Sequence, residues 1–81
     1  MPLGTAEVVE VFRVAGRLLL KVRMTDGSAI QTGDTLEYGQ SSCVVKAVSF
    51  VPAEAWAAGL RLLEIDVVSA PQVGERLQLR R

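Results

Sequence analysis

Four cations lie close together in the first third of this chain: Arg13, Arg17, Lys21 and Arg23. Groups of this kind contact phosphates, so a nucleic-acid-binding face is the first chemistry they suggest. The ordinary alternative is a set of solvated strand charges that also guard against aggregation. Carboxylates form the other candidate set. Glu64 and Asp66 share a strand face by alternation, and Asp34 and Glu75 each follow a glycine. Paired carboxylates in a cleft can do acid–base work. On a strand face they are more often solvated surface, and after a turn glycine they accept local backbone N–H bonds. The chain has no histidine and a single cysteine, Cys43. That removes Ser-His and Cys-His nucleophile pairs and any Cys/His zinc site. Cys43 lies in the apolar run Cys43-Val44-Val45, which reads as a small buried hydrophobe rather than a reactive thiol. No catalytic residue, metal ligand or cofactor is expected, and the chain does not read as an enzyme.

The elements that carry these residues come from one small chain of 81 residues, expected to form a single domain over 1–81 with residues 1–4 as a loose end. Its hydrophobic content of 49% suffices for a core. Nine basic residues balance nine acidic ones, so the net charge is zero. A strong nucleic-acid binder is usually basic, although a local patch can act within a neutral total. No apolar run approaches the ~20 residues of a membrane span. Met1-Pro2-Leu3-Gly4 lacks the basic and apolar parts of a signal peptide. One cysteine offers no intrachain disulfide, so the expected setting is cytoplasmic, with no membrane partner.

A short motif organises the chain. Ile30-Gln31-Thr32-Gly33-Asp34-Thr35-Leu36 returns as Pro71-Gln72-Val73-Gly74-Glu75-Arg76-Leu77. Gln31 matches Gln72, Gly33 matches Gly74, Asp34 matches Glu75 and Leu36 matches Leu77. Each copy reads as a turn that launches a strand, with glycine free to take a positive φ and the acid a local acceptor. The chain is therefore two passages of β-structure, each ended by this loop.

Along those passages, valine-rich 5–14 reads as a strand despite polar residues at every third place (Glu7, Glu10, Arg13), with a bulge at Val8-Val9. After Ala15-Gly16, residues 17–25 alternate, with Leu18, Leu20, Val22 and Met24 on one face. Asp26-Gly27 marks a turn, 35–38 a short strand, and Gly39-Gln40-Ser41-Ser42 another turn. Residues 43–51 read as a strand with Val44, Val48 and Phe50 on one side and Cys43, Val45 and Ala47 on the other. Pro52 to Gly59 suggests a turn or two of helix, with Trp56 as a plug across a barrel end. Residues 60–68 alternate, Leu63, Ile65 and Val67 facing inward, and 76–80 closes the chain. Six short strands at regular spacing predict an all-β fold, a small closed or nearly closed barrel with one short helical turn.

The order of these motifs resembles the second domain of translational GTPases of the elongation-factor Tu type, a six-stranded β-barrel. The residues that carry it are Phe12, Gly16-Arg17, Asp26-Gly27, Ile30-Gln31-Thr32-Gly33-Asp34, Val45 to Val48, Ala55 to Gly59, Leu60 to Val67 and Gln72-Val73-Gly74-Glu75. The resemblance spans nearly the whole chain. Leu18 and Arg23 stand where that family usually has glycines, and a strand glycine often admits a ligand or another backbone. No Gly-x-x-x-x-Gly-Lys-Ser/Thr loop is present, so GTP hydrolysis is not implied.

The resemblance implies a non-catalytic binding module that braces a GTPase domain or contacts RNA or a ribosomal partner. Arg13, Arg17, Lys21 and Arg23 are its candidate nucleic-acid contacts. Aromatic content of 5% offers few stacking platforms. The competing reading is a structural or protein-interaction module that self-associates, with Leu19, Leu62 and Val68 on outer strand faces. A contiguous outer apolar patch is the feature that favours it.

Overall fold

Strict alternation in Arg17–Met24 makes it the strand β2, the second of the fold. Leu18, Leu20, Val22 and Met24 are buried, while Lys21 and Arg23 point outward. The computed structural model describes residues 4–26, 29–66 and 70–80. In it the valine-rich start is β1 (Gly4–Val14), which begins at Gly4, a residue expected to be loose. The remaining elements are β3 (Thr35–Tyr38), β4 (Ser41–Ser49), α1 (Ala53–Ala57), β5 (Leu60–Ile65) and β6 (Arg76–Arg80). The strands close into an antiparallel barrel in the order β1-β2-β5-β4-β3-β6. Its interior is a core of Val, Leu, Ile and Cys side chains, among them Val8, Leu20, Leu36, Cys43, Val45, Leu63, Ile65, Leu77 and Leu79. The inward positions expected on β2, and Leu63 and Ile65 on β5, are among the buried residues. Gly27, Val67 and Val68 lie outside the described residues.

The repeated loop is the joint of the barrel. Gly33 N donates to Val45 O at 2.8 Å and Val45 N to Asp34 O at 2.9 Å. In the second copy Gly74 N donates to Val8 O at 2.8 Å and Val8 N to Glu75 O at 3.0 Å. Both glycines adopt the left-handed backbone these turns need, with φ of 94° and 89°. The flanking Ile30 and Pro71 are both buried. Val8 and Val45 are therefore equivalent, and so are β1 and β4, β2 and β5, β3 and β6. The register agrees, since Leu36 lies opposite Cys43 as Leu77 lies opposite Ala6. The barrel has an internal pseudo-twofold axis, and its halves interlock. The β3 strand pairs only with β4 and β6 of the second half, and β6 only with β1 and β3 of the first.

Each half also carries a bulge at the equivalent place. In β1 the register shifts between Val8 and Glu10, as the sequence suggested. The extra residue explains the helix-like spacing of Glu7 and Glu10, which face partners only two apart, Arg23 and Lys21. In β4 the shift falls between Val45 and Ala47 and corrects the faces expected there. Val48 joins Cys43 and Val45 on the core side, Ala47 turns out beside Glu64, and Phe50 leaves the barrel fully exposed. Ser41 and Ser42, expected in the turn, begin β4 opposite Tyr38 and Glu37.

Candidate functional site

The β1–β2 register sets Glu7 against Arg23 and Glu10 against Lys21 on the outer wall. Those ion pairs span 3.6 Å and 3.7 Å. Arg17 Nη2 donates to Glu64 Oε1 at 2.8 Å, and Lys46 Nζ lies 3.8 Å from the other oxygen of the same carboxylate. The Arg17 hydrogen bond holds the Glu64 carboxyl below its usual range, and the same contact raises Arg17. Arg13, opposite Leu18 and one step from the Ala15-Gly16 turn, is exposed and is a member of none of these pairs. Three of the four candidate cations are thus gathered on one wall, each beside an acid. A polyanion approaching it meets alternating signs rather than one positive field. The counter-charges Glu7 and Glu10 were visible in the sequence as cross-strand neighbours once the bulge is placed; Lys46 was not singled out.

The carboxylates are similarly engaged. Asp34 Oδ2 accepts from Gln31 N and Glu75 Oε1 from Gln72 N, both at 2.9 Å, and Asp66 Oδ1 accepts from Val44 N at 2.8 Å. The Asp34 and Glu75 bonds match the turn-acceptor role read from the two Gly-acid pairs, whereas Asp66, read as a solvated strand-face acid, accepts from β4. Among the described residues no group of His, Cys, Asp and Glu is placed to hold a metal ion. Cys43 is buried, and burial pushes its thiol up to about 11. Its neighbour Tyr38, also buried, is pushed up to about 12, first by burial and then by Cys43. At neutral pH both stay protonated, so Cys43 presents no thiolate.

What the outer wall does offer is an apolar cleft of about 330 Å³. Phe12, turned outward by the β1 bulge, and Leu62 on β5 form its floor. Phe50, Val51 and Pro52, in the connection from β4 to α1, form its lip with Ala55. Lys21 lines one side. Leu19 sits beside Phe12 across the hairpin, so the apolar surface continues beyond the cleft. Phe50 projects wholly into solvent. A polar depression of about 570 Å³ lies elsewhere, at the Gly39-Gln40 turn and the second loop copy, where the Glu75 carboxylate is already bound to Gln72 N.

Trp56 is not a plug. It is 53% exposed, and no residue of α1 is buried. The Arg61 guanidinium lies 3.3 Å over its ring while Arg61 Nη1 donates to the Trp56 and Leu60 carbonyls at 3.1 Å and 2.8 Å. Arg61 thereby ties the last turn of α1 to the start of β5 and meets the helix carbonyls with a cation.

The fold and this surface together define a closed antiparallel barrel bearing an apolar cleft on a charge-paired outer wall. No protein-family model, no curated protein and no solved structure matches the chain.

Proposed function

We propose that the barrel is a non-catalytic protein-binding module, in the manner of the second domain of elongation-factor-type GTPases, which it resembles in motif order. The observation that carries this reading is the contiguous apolar surface of Phe12, Leu62, Phe50, Val51 and Pro52. A small domain rarely leaves a fully exposed phenylalanine beside an unfilled apolar groove unless something covers it. Closure leaves no free sheet edge, so a partner docks against the wall rather than adding a strand. RNA contact is the weaker reading, because Arg17, Lys21 and Arg23 are each set against an acid. The described residues include no helix long and apolar enough to cross a membrane. A cytoplasmic setting, where a single thiol stays reduced, suits the proposal.

The test is affinity retention from cells that make the protein, with the wild-type chain, a Phe50→Asp/Leu62→Asp variant and a nuclease-treated arm. Retention of a defined protein that survives nuclease and is lost with the variant supports the reading. The same proteins retained by both chains would sink it, and retention abolished by nuclease would replace it with RNA binding.

A further inference from the structure

We infer that the cleft is the contact surface of a homodimer: two copies of this chain face each other across a twofold axis, and Phe50 of each is seated in the cleft of the other. This rests on the protein-binding reading and names the partner.

Projection and recess occur on one surface. Phe50 stands fully exposed at the lip of the cleft whose floor is Phe12 and Leu62. A twofold contact requires a patch that is complementary to itself, and a knob beside its own hole meets that requirement. The cleft, at about 330 Å³, has room for the ring, since a cavity of roughly 150 Å³ already accepts benzene. Burying both rings removes apolar area from water twice for one association step.

The rim charges suit a second copy better than a partner of one sign. Lys21 on the cleft wall and its neighbour Glu10 form a loose pair, 3.7 Å apart with both side chains a third to a half exposed. Across a twofold axis each Glu10 meets the other copy's Lys21, so the rim complements itself. A strongly acidic or basic partner would meet one repulsive group for each attractive one. A net charge of zero leaves no net-charge repulsion between copies. The closed barrel excludes association edge to edge, which leaves wall against wall.

Sedimentation equilibrium of the full chain over a wide concentration range tests this. A monomer–dimer equilibrium is expected. Phe50→Asp should raise the dissociation constant by about tenfold or more, as loss of a central aromatic anchor does. Circular dichroism of that variant should match the wild type, because the side chain is fully exposed and outside the core. Lys21→Glu should also weaken the dimer, and Glu10→Lys with Lys21→Glu should restore it. A chain that remains monomeric throughout, or a dimer indifferent to Phe50→Asp, overturns the inference. A monomer that still captures another protein through Phe50 overturns it while leaving the protein-binding function standing.

Discussion

Replacing Asp34 by alanine should cost about 2–3 kcal/mol of unfolding free energy, and replacing Glu75 by alanine only about 1 kcal/mol. The two acids make the same bond in the two halves of the barrel. Asp34 Oδ2 accepts from Gln31 N and Glu75 Oε1 from Gln72 N, at the same 2.9 Å. These two bonds differ in their access to water. Asp34 is 2% exposed, whereas Glu75 is half-buried and its bond lies at the surface. Removing Asp34 strips a charged acceptor from a part-buried amide that solvent reaches poorly, which is where charge-assisted bonds are worth roughly 1.5–3 kcal/mol. Removing Glu75 lets water take its place. Asp34→Asn keeps a carbonyl oxygen at the position and should recover more than half of the alanine loss. Urea unfolding followed by far-UV circular dichroism measures all three variants, with an unchanged m-value as the check that the denatured state is the same. For a domain of total stability near the low end of roughly 5–15 kcal/mol, the Asp34→Ala midpoint shift is large. Equal costs for the two alanine variants, or a greater cost at Glu75, would refute the reasoning. The loops would then be held by their backbone bonds to Val45 and Val8, and the acids would be incidental.

Other consequences follow from the same structure. The Cys43 and Tyr38 protons are held more tightly in the folded chain than in the unfolded one, so their contribution to stability is complete below about pH 9. It is lost as the pH rises through about 11 and about 12. Cys43→Ala should flatten the fall in the urea midpoint between those limits, and the wild-type thiol should resist a disulfide reagent at neutral pH until denaturant is added. Glu64 has the opposite sign. Its folded carboxyl is held below the usual 4.5, so its contribution is complete above that value and lost as the pH falls beneath it. Glu64→Gln should therefore lessen the acid sensitivity of the thermal midpoint below pH 4.5. Trp56→Ala should cost about 1 kcal/mol, the worth of an exposed cation–π contact and modest packing. Loss of a buried tryptophan costs roughly 3–5 kcal/mol, and a thermal melt distinguishes the two.

The architecture was legible because three local signals agreed. Period-two alternation in residues 17–24 places Leu18, Leu20, Val22 and Met24 in the core, where all four are buried. Turn glycines separate the runs, and the repeated Gly-acid loop marks the ends of the two halves. That repeat also foreshadows the pseudo-twofold axis, since Gly33 and Gly74 bond to equivalent valines in opposite halves. Alternation cannot show which strand lies beside which. The β3–β6 and β2–β5 pairings connect the halves through long-range contacts, and no local pattern in either half encodes them. The pairing of Arg17 with Glu64 was hidden for the same reason. Whether Arg17 faces solvent or Glu64 depends on β2 lying next to β5.

The apolar cleft was illegible for a more particular reason, and that reason links fold to function. A bulge advances the alternation by one residue, so every position beyond it changes face. In β1 the bulge turns Phe12 outward to the cleft floor. In β4 the equivalent bulge sends Val48 inward, and the chain then leaves the barrel so that Phe50 is freed to the lip. Read without the bulge, Phe50 shares a face with Val44 and Val48 and looks like ordinary strand packing. The β1 bulge thus carries Phe12 out of the core, whereas Phe50, which shares the inward phase of Val48, is exposed because β4 ends at Ser49. Bulges that close the barrel and a surface that is left apolar are not independent features. Val8 and Val45 sit at the start of each bulge and bond to Glu75 and Asp34, so the loops that lock the halves together lie where the phase changes that expose Phe12 and turn Val48 inward.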